Sequence, residues 1–180
     1  MIITIAGNAG SGKSTVSKLL AKKLRYKHYS AGDMQREIAK EQGMSILELG
    51  RLEAKDKKYD NMIDARQRRL GKENDNFVID GWLSAYFIPH SYKVFLTVDA
   101  NEAVKRRIRQ KRKNEQYATL KEAKAALKER EAINRKRWLK YYGFDYADKK
   151  NYDLTVNTTK KKPESVTAQI LSVLKKKKLL

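Results

Sequence analysis

Residues Gly7 to Ser14, reading Gly-Asn-Ala-Gly-Ser-Gly-Lys-Ser, constrain this chain more than any other stretch of it. They satisfy G-x-x-x-x-G-K-[ST] at every fixed position. They also stand between a short apolar run, Ile2-Ile3-Thr4-Ile5-Ala6, and a segment with helical apolar spacing at Val16, Leu19, Leu20 and Leu24. The glycines let the backbone turn so that successive N–H groups point inward, and the positive end of the following helix adds to their field. That geometry suits phosphate oxygens. In such a loop Gly7, Asn8, Ala9, Gly10, Ser11, Gly12, Lys13, Ser14 and Thr15 bind ATP. Lys13 brings a full charge to the outer phosphates, and the Ser14 hydroxyl is a ligand for Mg²⁺. Chance alone would place the four fixed residues in a chain this size well under about one time in fifty.

The remaining pattern extends this start into a fold. β-rich runs recur at Lys27 to Ser30, Phe77 to Asp80, Lys93 to Val98 and Asp153 to Asn157, with helical segments between them and a closing helix from Glu164 to about Lys176. Short strands alternating with helices predict an α/β chain of the P-loop NTPase type, a five-stranded parallel sheet with helices on both faces. Two departures are expected: a helical insertion over about 34–73 and a charged helical excursion over about 105–130. The core then comprises about 1–33, 74–104 and 131–180, all in one domain. Pro89 and Pro163 fall between elements. No run approaches eighteen apolar residues, so no membrane span is expected. With no cysteine, disulfides and cysteine-based metal or nucleophile chemistry are excluded, and a reducing cytoplasm is the expected location.

Asp80 ends the third run, just before Gly81, where a strand-end carboxylate would hold Mg²⁺ through water; the plain alternative is an aspartate capping an Asp-Gly turn. After the second run comes Ser30-Ala31-Gly32-Asp33-Met34-Gln35-Arg36. Here the chain resembles the nucleoside-monophosphate kinases, which carry Gly-Asp-x-x-Arg at this point, and among them the archaeal-type cytidylate kinases. The likeness includes Tyr29 to Asp33, Asp60-x-x-x-Asp64, Asp80-Gly81-x-Leu83-Ser84, Arg130-Glu131, Arg137, Tyr142-Gly143-x-Asp145, Tyr152-Asp153-Leu154 and Asn157-Thr158. It implies phosphoryl transfer from Mg·ATP to a nucleoside monophosphate, CMP or dCMP first. It also implies that the insertion binds the acceptor and that the excursion is a lid.

The charge requirement agrees with that implication. ATP and a monophosphate repel, so the site must supply bidentate cations that span donor and acceptor, a task for arginine. Arg36 would clamp the acceptor phosphate. Arg106, Arg107 and Arg109 begin the lid, and Arg112 lies within it. Arg130 and Arg137, seven apart on a helix, share a face and would act with Lys13 in catalysis, with Asn134 between them. The family has an acidic residue where Asn134 stands. The plain alternative for any one arginine is a solvated helix paired with Glu129 or Glu131. Gly32, Asp33, Asp60, Asp64, Asp80, Ser84 and Asn134 join Arg36 as acceptor-binding residues. Asp60 or Asp64 would accept from the cytosine N4 amine, and Ser84 would donate. The family commonly has arginine after the glycine of Asp-Gly; this chain has Trp82, which with Tyr86 and Phe87 reads equally as core.

Lys and Arg number 41 against 21 Asp and Glu, a net charge of +20. Much of the excess sits in Lys160 to Lys162 and Lys175 to Lys178, where a solvated tail is the simplest account. A nucleic-acid partner is the alternative, through an RNA- or ribosome-associated ATPase of the same fold. A kinase of another small acceptor, shikimate or dephospho-coenzyme A, shares the loop but not the tyrosine-rich segments. The expected partners are ATP and a monophosphate, and the expected state is a monomer.

Overall fold

The computed structural model describes residues 1–44, 46–53, 56–109 and 119–180. Five strands, β1 (Ile2–Gly7), β2 (Lys27–Ser30), β3 (Phe77–Asp80), β4 (Tyr92–Thr97) and β5 (Leu154–Asn157), form one sheet in the order β2-β3-β1-β4-β5. Every pairing is parallel. β1 lies at the centre and is buried along its whole length, as its unbroken apolar sequence requires of a strand covered on both faces. Its side chains alternate between two cores. Ile3 and Ile5 join Val16, Leu20, Val94, Leu96, Ile170 and Leu174 on one face. Ile2 and Ala6 join Phe77, Ile79, Phe87, Phe95, Trp138 and Tyr146 on the other.

Helix α1 (Lys13–Leu24) and the closing helix, here α8 (Pro163–Lys176), cover the first face. The second is covered by α5 (Ser84–Phe87), the last turns of α7 (Leu120–Tyr142) and the aromatic segment that follows it. Between β2 and β3 lie α2 (Ala31–Glu41), α3 (Ile46–Glu53) and α4 (Lys57–Glu73), joined by a small core of their own around Ile38, Ala39, Leu49 and Ile63. The Asp56 side chain accepts from the Lys58 N–H at 2.8 Å and caps the start of α4. α6 (Ala100–Arg109) follows β4. The four-residue α5 and a 3₁₀ turn at Lys149–Asn151 are too short to leave a periodic signal.

Because the sheet is wholly parallel, the carboxyl ends of the strands share one edge. Register pairs Ile5 with both Asp80 and Val94, and Ser30 with Asp80. The chain leaves β1 toward β2 on one side, while β4 and β5 lie on the other. The loop after β1 therefore sits at the topological switch point, where parallel sheets bind ligands.

Candidate functional site

The loop between β1 and α1 takes its shape from glycines that no other residue replaces without strain. Gly7 has φ 146°, and a Cβ there would stand 2.2 Å from the Leu96 carbonyl oxygen. Gly10 has φ 75° and would strike the Ala103 backbone at 2.7 Å. The Asn8 N–H donates to Leu96 O at 3.1 Å, tying the loop to β4. Lys13 Nζ donates to the carbonyls of Gly7 (2.8 Å) and Asn8 (2.9 Å). It also lies 5.3 Å from the centroid of the Trp82 ring. The Trp82 indole N–H donates to Gly7 O at 2.8 Å. Trp82 also packs at tilted angles against Trp138 and Tyr146, so it is a partly buried residue at the edge of the core whose polar edge fastens the loop.

Ser14 Oγ donates to Asp80 Oδ2 at 2.8 Å, so hydroxyl and carboxylate meet at the ends of neighbouring elements. Asp80 is 5% exposed. Its other oxygen lies 2.8 Å from His28 Nε2, and Ser30 Oγ donates to Oδ2 at 3.4 Å. From the far end of the sheet, Thr158 Oγ1 bridges the carbonyls of Ser11 (3.1 Å) and Thr97 (3.0 Å). Arg106, expected to open the lid, instead donates to the carbonyls of Thr158 (2.7 Å) and Thr159 (3.1 Å) and pairs with Glu102. Its guanidinium braces the segment whose Thr158 hydroxyl supports Ser11, and the Asp99 N–H just before α6 donates to Thr159 Oγ1 of the same segment at 2.9 Å. Arg109 is exposed at the last turn of α6, and Arg112 lies outside the described residues.

The insertion and α7 enclose a second polar cluster. Glu53, Asp60 and Asp64 are buried at 2%, 5% and 6% exposure. Arg137 reaches Glu53 at 3.6 Å and Asp60 at 3.5 Å. Gln35 donates to both Glu53 oxygens at 2.7 and 2.8 Å. Tyr142 donates to Asp64 Oδ2 at 2.5 Å. Burial pushes the Asp60 carboxyl up to about 7, with Arg137 opposing it. Burial likewise raises Asp64 to about 6 against the Tyr142 hydrogen bond. Burial first, and Asp64 second, drive the Tyr142 hydroxyl well above its ordinary value. Asp60 Oδ2 and Arg137 Nε are buried with no hydrogen-bond partner among the described residues. Such orphaned groups are rare away from ligand sites.

The helical spacing of Asp60 and Asp64 does bring both carboxylates to one face of α4. Ser84 Oγ, expected to donate to a base, donates to Gln67 Oε1 at 2.7 Å in the interior. Asp33 and Arg36 pair with each other one turn apart on α2, about half exposed, beside Gly32. Asn134 is part-buried on α7. Arg130 belongs to the same helix, and its side chain lies outside the described residues. Gln35, Glu53, Gln67 and His28 escape sequence reading, as does the contact of Glu131 with Ala9, because each meets its partners through packing between distant elements. Only the crowding of carboxylates between 53 and 64 hints at them.

The sequence model of the cytidylate kinase-like family matches residues 2–160. A cytidylate kinase of Methanobrevibacter smithii is 35% identical over 175 residues, covering 97% of this chain and 99% of that one. Cytidylate kinases of Thermoplasma volcanium and Pyrococcus horikoshii are 36% and 37% identical, covering 96% and 97% of this chain and 90% and 88% of theirs. Among solved structures, an uncharacterized protein of Eubacterium ventriosum superposes with a TM-score of 0.73 at 21% identity, covering 97% of this chain and 98% of that one. A shikimate kinase of Bacteroides thetaiotaomicron superposes at 0.67 and 18%, with the same coverage. At such identities these structures speak for the fold alone.

Proposed function

The chain belongs to the cytidylate kinase-like family, and from that premise we propose that it transfers the terminal phosphoryl group of Mg·ATP to CMP or dCMP. The observation that supports this reading is the pairing of a complete phosphate loop with a buried Arg137–Asp60–Asp64 cluster, in which Asp60 Oδ2 and Arg137 Nε have no hydrogen-bond partner among the described residues. The loop amides and Lys13 hold the donor's outer phosphates. An oxygen of the acceptor phosphate attacks the terminal phosphorus in line as the bond to the leaving diphosphate breaks, yielding ADP and CDP. That oxygen is already anionic and needs no base. Arg36, Arg130 and Arg137 offset the charge shared between the two substrates. Asp60 and Asp64 supply the acceptor that an exocyclic amine requires, and Gly32, Asp33 and Asn134 would complete the acceptor side.

Ser14 and Asp80, 2.8 Å apart, are hard oxygen donors of the kind Mg²⁺ takes. They would hold the ion, Ser14 directly and Asp80 through water. When bound, it neutralises charge on the donor's phosphates.

An acceptor panel tests the reading. With Mg·ATP at pH 7.5, kcat/KM for CMP should exceed that for UMP, AMP and GMP by about tenfold or more, since a buried carboxylate left unpaired penalises the wrong base. Equal or faster turnover of AMP would remove the cytidine assignment and leave the kinase. The pH profile carries a second arm. Asp60 and Asp64 gain protons as pH falls through about 7 and 6, and protonated carboxyls stop accepting from the amine. The value for CMP should therefore fall toward pH 5.5, and less steeply in Asp60→Asn. A profile that is the same in both proteins would detach these residues from base recognition.

One further observation favours a second property, binding of RNA at the opposite end of the sheet. α1 runs about 18 Å away from the loop, and its last turn packs with that of α8 on the same core, through Leu20, Ala21, Ile170 and Leu174. Exposed Lys22, Lys23, Arg25 and Lys27 thereby join exposed Lys175 to Lys178, from segments far apart in sequence. Retention of single-stranded RNA on filters should weaken steeply between 50 and 200 mM salt, roughly tenfold or more, with a shallower slope when Lys175 to Lys178 are all alanine. No retention at the low-salt end would dismiss the RNA reading.

A further inference from the structure

At the mouth of the phosphate loop stands an acidic side chain with no part in the transfer just described. Glu131 Oε1 accepts a hydrogen bond from the Ala9 backbone N–H at 2.6 Å, across 122 residues of sequence. Ala9 lies between Gly7 and Gly10, and its side chain packs against Val104, Ala123 and Leu127 where α6 meets α7. Both the amide and the helix carrying Glu131 are thus held in place. A carboxylate oxygen at hydrogen-bonding distance from a loop amide is chemically what a phosphate oxygen is there, an anionic acceptor. One N–H directs one strong hydrogen bond, so donor phosphate and Glu131 compete for it.

We propose that Glu131 is a built-in occupant of the phosphate cradle, which a nucleotide polyphosphate must displace in order to bind. This inference rests on reading the loop as a donor-phosphate site. The carboxylate keeps Ala9 N–H satisfied in the free protein and lowers affinity for any ligand whose phosphate needs that amide. It leaves untouched a ligand without phosphates. Glu131 also shares an unbroken helix, α7, with Arg137, which meets Glu53 and Asp60 on the acceptor side.

The experiment measures binding of a non-hydrolysable ATP analogue, and of adenosine, to the full chain without acceptor. Titration calorimetry serves, as does the fluorescence of Trp82, whose indole touches Gly7 O. Glu131 is only part-buried, so its replacement leaves the core intact. Glu131→Ala should bind the analogue about tenfold more tightly than the unaltered protein, the value of a charge-assisted hydrogen bond no longer in competition. Glu131→Gln, whose neutral oxygen is a weaker occupant, should fall between. Adenosine affinity should be the same in all. Glu129→Ala, which removes an exposed charge of the same helix, should shift analogue affinity much less. Unchanged or weaker analogue binding by Glu131→Ala would overturn the inference, as would an equal gain from Glu129→Ala. Analogue binding by none of the proteins would overturn the cradle reading itself, and the competition with it.

Discussion

Lys13→Ala should lower the rate of phosphoryl transfer to CMP by about three orders of magnitude, while the chain remains folded. The reasoning begins with position. Lys13 is the first residue of α1, and its ammonium is drawn onto the Gly7 and Asn8 carbonyls at 2.8 and 2.9 Å, inside the loop. In the proposed reaction it faces the donor's outer phosphates, whose oxygens carry the charge redistributed as the bond to the leaving group breaks. A single preorganised donor in such a site is worth about 10² to 10³ in rate, and a full charge at least the upper figure. Affinity for ATP falls much less, because the remaining loop amides still bind the triphosphate. A coupled assay for ADP, run with a binding titration, separates the two. A variant that kept more than a tenth of the native kcat would remove Lys13 from the chemistry.

Arg137→Met costs both activity and stability, and the second loss depends on pH. Arg137 is flanked by two buried carboxylates, Glu53 and Asp60, at 3.6 and 3.5 Å. Taking away the cation leaves them uncompensated in the interior, which destabilises a protein by about 3 to 5 kcal/mol. For a chain of this size that lowers the melting temperature by roughly 6 to 20 °C at pH 8. The Asp60 and Asp64 carboxyls have folded-state values raised above their unfolded ones, to about 7 and 6. Between about pH 4 and 7 the folded chain therefore holds more protons than the unfolded chain. The stability these groups confer falls as pH rises through that window. Without Arg137 a proton must do what the guanidinium did, so the variant's deficit should shrink markedly at pH 5.5. Transfer should drop about 10² to 10³-fold at any pH where the protein is folded. Equal melting of variant and native protein at pH 8 would show that the cluster does not depend on its arginine.

The site is legible in the sequence wherever its parts are neighbours along the chain. Gly7 to Ser14 announces its own function because one turn of backbone makes the cradle. Asp60 and Asp64 declare a shared helical face through a spacing of four. β2 reads weakly because only Ser30 of its four residues is buried, so its apolar signal is faint. Arg106 illustrates the opposite limit. Sequence places it at the start of a charged helix, and nothing local tells that its guanidinium will meet the Thr158 and Thr159 carbonyls. Trp82 likewise reads as either core or binding surface, and in the fold it is partly buried against the core with its indole N–H anchored on Gly7 O.

By itself, the sequence determined the alternation of strands and helices and the glycine-rich loop between β1 and α1. Each follows from local backbone chemistry. Tertiary structure alone decided the strand order, the burial of Glu53, Asp60 and Asp64 around Arg137, and the meeting of Glu131 with Ala9. Those outcomes depend on which distant helices pack together. The strength of a charge, and even its protonation, is set by what packing places around it.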